Sequence, residues 1–155
     1  MNEFLEKAKQ WLTSTFDTET QAEIKDLIKN NPDALADRFY KDMEFGTGGM
    51  RGVMGAGTNR INKYTLGRAT QGLSNYLIDN VKKEQLSVVI AFDCRHNSKK
   101  FAKVVADVLS ANKIKVFLFE DLRATPELSF AVRHLGCDAG IVLTASHNPP
   151  DYNGY

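Results

Sequence analysis

The sequence predicts an α/β fold: a three-layer α/β/α sandwich with a mainly parallel sheet, preceded by an N-terminal helical extension. Three observations carry this. From Leu86 to Leu143, short apolar runs alternate with amphipathic stretches in the order β-α-β-α-β, and crossovers of helical length impose parallel strands. Val88 to Phe92 is continuously apolar, as a strand buried on both faces is. The first forty-odd residues show helical periodicity.

In order, Phe4, Ala8, Trp11 and Leu12 recur at helical spacing. A break follows at Thr15-Phe16-Asp17, and Thr18 with Gln21 has the spacing of a capping box. Ile24, Leu27 and Ile28 give a second helix its apolar face. Asn31-Pro32 reads as a cap followed by a first-turn proline, and Leu35, Phe39 and Met43 continue a third helix. Composition changes at Phe45: Gly46 to Gly52 holds four glycines in seven residues, and Gly55 and Gly57 follow. Glycine permits positive φ and close backbone approach, so this is a loop or a strand–turn. The organisation expected is an extension over 1–44 and a domain over 45–155.

A helix follows with Leu66, Ala69, Thr70, Leu73, Tyr76 and Leu77 on one face. Val88 to Phe92 reads as a buried strand ending in Asp93-Cys94-Arg95. Phe101, Val104, Val105, Val108 and Leu109 form a helical stripe. Lys115 to Phe119 is the second strand. Thr125-Pro126 opens a helix carrying Leu128, Ala131, Val132 and Leu135, which Gly136 stops. Ala139 to Leu143 is the third strand.

The chain has 155 residues, 43% of them hydrophobic and 25% charged, with net charge +1. That balance exerts no general pull on nucleic acid. No stretch approaches the roughly 18 apolar residues of a membrane span. Met1-Asn2-Glu3-Phe4-Leu5-Glu6 is acidic and amphipathic, unlike a signal peptide. Two cysteines, Cys94 and Cys137, make no disulfide framework. A cytoplasmic protein with reduced thiols, and without nucleic-acid or membrane partners, is expected.

In open parallel sheets ligands gather beyond the carboxyl ends of the strands. Three polar segments fall there: Asp93 to Ser98, Glu120 to Thr125 and Thr144 to Asn153. The last is densest in hydroxyls, amides and turn-formers, and tandem prolines limit its conformations. Residue chemistry alone leaves two readings open. One is a polar turn capped by Ser146 or Asn148; the other is a nucleophilic Ser146. A hydrolase-type Ser146–His147 pair is disfavoured, because triad partners usually meet through the fold and the G-x-S-x-G elbow is absent. A dinucleotide-binding module needs G-x-G-x-x-G between strand and helix, which these glycines do not form. A non-enzymatic interaction domain is the third class.

Thr144-Ala145-Ser146-His147-Asn148-Pro149, followed by Pro150-Asp151-Tyr152-Asn153-Gly154, resembles the active-site serine loop of the α-D-phosphohexomutases, the phosphoglucomutase/phosphomannomutase family. Phe45 to Gly52 resembles that family's glycine-rich Arg-Gly motif, and Val89 to Arg95 its strand ending in Asp-x-Arg. Asn59-Arg60-Ile61-Asn62 and Thr70-Gln71-Gly72-Leu73 look most like the phosphoglucomutase/phosphopentomutase branch.

The resemblance implies a phosphosugar mutase. Ser146 carries a phosphate and passes it to a sugar monophosphate; the bisphosphate intermediate reorients and returns its other phosphate. Sugar 1- and 6-phosphates of glucose or mannose are the implied substrates, or pentose 1- and 5-phosphates. Sugar bisphosphate is also an activator. One Mg²⁺ takes a phosphoserine oxygen as ligand, so Ser146 is a metal contact through its phosphate. A phosphoserine carries about −1.5 to −2 charges near neutrality, and its transfer rests on positioning and neutralising cations. Arg51 matches an arginine facing that phosphate, whose planar fork holds oxygens bidentately. His147 matches a residue contacting phosphate or substrate. In support, Thr144 opens the loop, Asn148 shapes it through side-chain-to-backbone hydrogen bonds, and Asp93 and Arg95 form an ion pair that fixes the neighbouring loop.

The family's lysine after Asn-Gly-x, its Asp-Gly-Asp-x-Asp-Arg metal loop, its Gly-Glu-x-Ser-Gly sugar loop and its Arg-x-Ser-Gly-Thr phosphate loop are not in these residues. The resemblance therefore implies an N-terminal fragment, with its first domain truncated at the C-terminal end. Mg²⁺ is then held mainly by another domain, the remaining domains are partners, and the fragment alone is inactive.

Overall fold

The computed structural model describes residues 3–155; Met1 and Asn2 of the acidic N-terminus lie outside the described residues. The elements are α1 (Glu3–Gln10), α2 (Thr18–Asn30), α3 (Pro32–Phe39), β1 (Arg51–Val53), α4 (Lys63–Asn80), β2 (Ser87–Phe92), α5 (Ser98–Ala111), β3 (Lys115–Leu118), α6 (Thr125–His134), β4 (Ala139–Leu143) and β5 (Tyr152–Gly154).

The main sheet has the order β3-β2-β4, with both pairings parallel. Its central strand β2 is buried at every position. Successive side chains on a strand face opposite ways, and β2 divides its residues accordingly. Val88, Ile90 and Phe92 join Leu66 and Leu77 of α4 and Phe101, Val105 and Leu109 of α5 in one core. Val89 and Ala91 pack with Leu128 and Ala131 of α6 in another. The result is the three-layer α/β/α sandwich expected. Lys99, Lys100, Lys103 and His134 are exposed.

Helices α1 to α3 close a core of their own around Ala8, Trp11, Ile24, Leu27, Leu35 and Phe39, against Ala56 and Tyr64. The Trp11 ring stacks on Phe16 at 4.6 Å and meets Phe39 and Tyr64 edge-on. Asp17 caps α2, accepting from the Thr20 N–H at 3.0 Å, in place of the expected Thr18. The Gln21 amide instead donates to the Thr13 and Phe16 carbonyls at 3.0 and 2.8 Å, holding the break closed. Asp17 also accepts from the Tyr64 hydroxyl at 2.6 Å and pairs with Lys63 at 2.8 Å. The Lys63 hydrogen bond, then that of Tyr64, holds the Asp17 carboxyl far below the usual range.

Two further expectations are corrected. Helix α3 ends at Phe39, and Met43 does not continue it: its N–H donates to the Thr58 carbonyl at 2.8 Å and its side chain packs on the main core. Tyr76, expected on the buried face of α4, is 62% exposed. The glycine-rich segment leads into β1, which pairs antiparallel with β5 in the register Arg51↔Gly154, Gly52↔Asn153, Val53↔Tyr152. The Thr144 N–H donates to the Gly154 carbonyl at 3.2 Å, which ties this ribbon to the end of β4. Among the described residues no helix is long and apolar enough to cross a membrane.

Candidate active site

The topology gathers the three polar segments at one end of the parallel sheet. The Asp93 N–H donates to the Leu143 carbonyl and the Arg123 N–H to the Phe92 carbonyl, both at 3.1 Å. Beyond β4 the chain turns sharply. Ala145 is fully buried, the Thr144 hydroxyl accepts the Ser146 N–H at 3.0 Å, and the Asn148 N–H donates to the Ala145 carbonyl at 3.0 Å. Ser146 stands at the apex with φ +52°, a left-handed conformation that costs a non-glycine residue about 1–2 kcal/mol. The turn leaves Ser146 exposed, with its Oγ 3.3 Å from His147 Nδ1.

Arg51 enters from β1. Its Nη1 donates to Asn148 Oδ1 at 3.0 Å, joining residues 97 apart in sequence. Asn148 was expected to shape the loop by bonding backbone with its side chain; that side chain instead holds Arg51. A guanidinium has five N–H donors in a fixed fork, so one bond leaves donors for an anion. Arg51, Thr144, Ser146, Gly48, Gly49 and Thr125 line one cleft of about 580 Å³, and no Asp or Glu side chain lines it among the described residues. Gly49, at φ +141°, has no room for a Cβ against the Tyr155 carbonyl. That close approach lets the Met50 N–H reach the same carbonyl at 2.9 Å. Burial pushes the Tyr155 phenol up.

Asp93 and Arg95 lie behind the loop. Arg95 Nε is 3.6 Å from Asp93 Oδ2. Its other nitrogens donate to main-chain carbonyls of the serine loop.

Two residues of this region were not foreseen as site residues. Thr125 lines the cleft from the start of α6; its place in the polar segment after β3 was the available signal. Asn153 is fully buried in β5. Its Nδ2 donates to the His96 carbonyl at 3.0 Å and Ser98 Oγ at 2.9 Å, and its Oδ1 accepts the Gly154 N–H at 2.8 Å. No periodicity marks an asparagine in a three-residue strand.

Residues 42–155 match the family described as phosphoglucomutase/phosphomannomutase, alpha/beta/alpha domain I. The chain is 48% identical over 116 residues to a phosphoglucomutase of Staphylococcus haemolyticus, covering 75% of this chain and 21% of that protein. It is 42% identical over 132 residues to a phosphoglucomutase of Staphylococcus epidermidis, covering 84% and 24%. Among solved structures, a putative phosphomannomutase from Thermus thermophilus superposes with a TM-score of 0.66 at 37% identity, over 74% of this chain and 25% of that one. The chain thus spans between a fifth and a quarter of the length of these curated relatives. With the sandwich, the serine turn and the matched domain in agreement, the chain belongs to the phosphoglucomutase/phosphomannomutase family, as its α/β/α domain I.

Proposed function

We propose that this chain is the phosphoserine-bearing part of a phosphosugar mutase. Residues 1–44 are the helical extension and residues 45–155 its first domain, completed by further domains of the same protein. The substrates are sugar 1- and 6-phosphates, of glucose or mannose, with pentose 1- and 5-phosphates as the alternative. A cytoplasmic setting fits the two free cysteines. The observation that carries the reading is an exposed Ser146 on a cleft free of Asp and Glu side chains that Arg51 also lines.

Each residue then has a task. Ser146 Oγ forms the new O–P bond as the bond from phosphorus to the sugar oxygen breaks. The Ser146 hydroxyl proton moves to His147 Nδ1, 3.3 Å away, and from there to the departing sugar oxygen. Arg51 offers its fork to the phosphoryl oxygens, and Asn148 sets its angle. The tight turn holds the nucleophile in place, and positioning supplies most of the catalysis of phosphoryl transfer.

Mg²⁺ does not fit a cage built from this chain alone: among the described residues no three carboxylate, imidazole or thiol groups gather to hold a metal. A Ser146 phosphate is this chain's contribution to such a site, and the remaining ligands come from other domains.

In the full-length protein, incubation with sugar bisphosphate is expected to leave one phosphate adduct on the Ser146 peptide by mass spectrometry. Ser146→Ala should abolish the adduct and lower coupled mutase turnover by at least roughly a thousandfold. An adduct that survives the substitution places the carrier elsewhere. The 155-residue polypeptide alone should show no turnover, and substantial activity in the coupled assay would refute that part.

A further inference from the structure

We propose that Arg95 is the positioning residue that holds the Ser146 turn in shape, and that Asn153 anchors Arg95 in turn. The proposal rests on Ser146 being the phosphate carrier. Arg95 Nη1 donates to the carbonyls of Pro149 at 2.8 Å and Tyr152 at 3.1 Å. Its Nη2 donates to those of Ser146 at 2.8 Å, Asn148 at 2.6 Å and Ala145 at 3.4 Å.

Five carbonyls of one loop therefore point at one guanidinium. Their dipoles repel one another unless a cation sits at the focus. The Arg95 side chain is only 12% exposed, so in the folded chain the guanidinium takes the place of bulk water at these carbonyls. A lysine offers three donors from a single atom, which cannot span carbonyls on both sides of a planar fork. Asp93 holds the base of the arrangement: its Oδ1 accepts from the Arg95 N–H at 3.0 Å and from Ser98 Oγ at 2.8 Å. Asn153, with its bonds to the His96 carbonyl and Ser98 Oγ, ties the 95–98 stretch to β5. Since β5 pairs with β1, one brace sets both the serine and Arg51. Arg95 touches neither the cleft nor its contents, so its loss misplaces the nucleophile without removing a substrate contact.

The test uses Arg95→Lys and Arg95→Ala in the full-length protein. In both, kcat is expected to fall about 10- to 100-fold, the effect of an ångström-scale misplacement, while KM holds within about twofold. Added guanidinium, but not sodium chloride at equal ionic strength, should recover part of the kcat of Arg95→Ala. Amide hydrogen exchange at Ser146 and Asn148 should accelerate about tenfold, since the turn opens locally. A raised KM with unchanged kcat, or unchanged exchange in both variants, overturns the proposal. Should Arg95→Ala fail to fold by circular dichroism, Arg95→Lys decides. Should the parent protein prove inactive on sugar phosphates, the functional reading fails, and the exchange rates alone decide whether Arg95 braces the turn.

Discussion

Replacing Gly154 with alanine tests how tightly the ribbon behind the serine turn is closed. A Cβ at this position stands 2.6 Å from the Thr144 carbonyl oxygen and 2.7 Å from that of Met50. Carbon–oxygen contacts ordinarily settle near 3.3 Å or beyond, so the two must open by roughly 0.6–0.7 Å. Both obstacles are backbone, and no rotamer change relieves them. The Met50 carbonyl is in use, accepting the Tyr155 N–H at 2.9 Å, and the Thr144 N–H donates to the Gly154 carbonyl at 3.2 Å beside it. Overpacking costs about 1–3 kcal/mol, and a weakened hydrogen bond adds about 1 kcal/mol. The stiffer unfolded chain returns about 0.4–1 kcal/mol. A net loss of about 2–3 kcal/mol lowers Tm by about 5–10 °C for a domain of this size. Thermal unfolding followed by circular dichroism measures it, with Gly48→Ala as control, because nothing lies within 4 Å of a Cβ there. A Gly154→Ala protein that melts within about 1 °C of the parent refutes the steric reasoning.

Gly72 lies inside α4, exposed, with nothing within 4 Å of an added Cβ; Gly72→Ala should stabilise by about 0.5–1 kcal/mol, seen as a higher Tm, and a lower one counts against it. Asp17→Asn keeps the helix cap but removes the charge that Lys63 and Tyr64 favour. A carboxyl held below its ordinary pKa adds stability above that ordinary value and loses it as pH falls toward the lowered one. The variant should therefore be weaker than the parent by about 1–2 kcal/mol at neutral pH, with the gap narrowing below about pH 4. Urea unfolding at pH 7 and pH 3 (set near these limits) measures this, and a gap that does not change with pH sinks the assignment.

The sandwich was legible because its signals are local. β2 is a run buried at every position, β3 and β4 are short and largely apolar, and α5 carries its stripe every three or four residues, so neighbouring residues disclose them. Ala139–Leu143 was expected and observed with the same bounds. The β1–β5 ribbon was not, since each strand has three residues, too few to show a period, and its pairing joins distant parts of the chain. The cap of α2 was misplaced by one residue because Asp17 and Thr18 are both good caps, and Tyr64 and Lys63, far along the chain, favour Asp17. Ser146, His147 and Arg51 were named from an ordered motif. The wider role of Arg95 was hidden for a physical reason: side-chain spacing reveals a partner such as Asp93, but every residue carries a carbonyl.

The ribbon also changes what the glycines mean. In sequence, Gly46 to Gly52 looks like freedom of movement. In the fold, Gly49 and Gly154 are points where backbone meets backbone too closely for any side chain. A one-residue slip between β1 and β5 would turn every side chain of β1 to the opposite face, and Arg51 would leave Asn148 and the cleft. The two glycines admit only the register in which their missing side chains face the crowded carbonyls. A segment that seems flexible thus fixes the arginine against the serine turn, and the chemistry proposed for Ser146 depends on the absence of two atoms, a Cβ at position 49 and a Cβ at position 154.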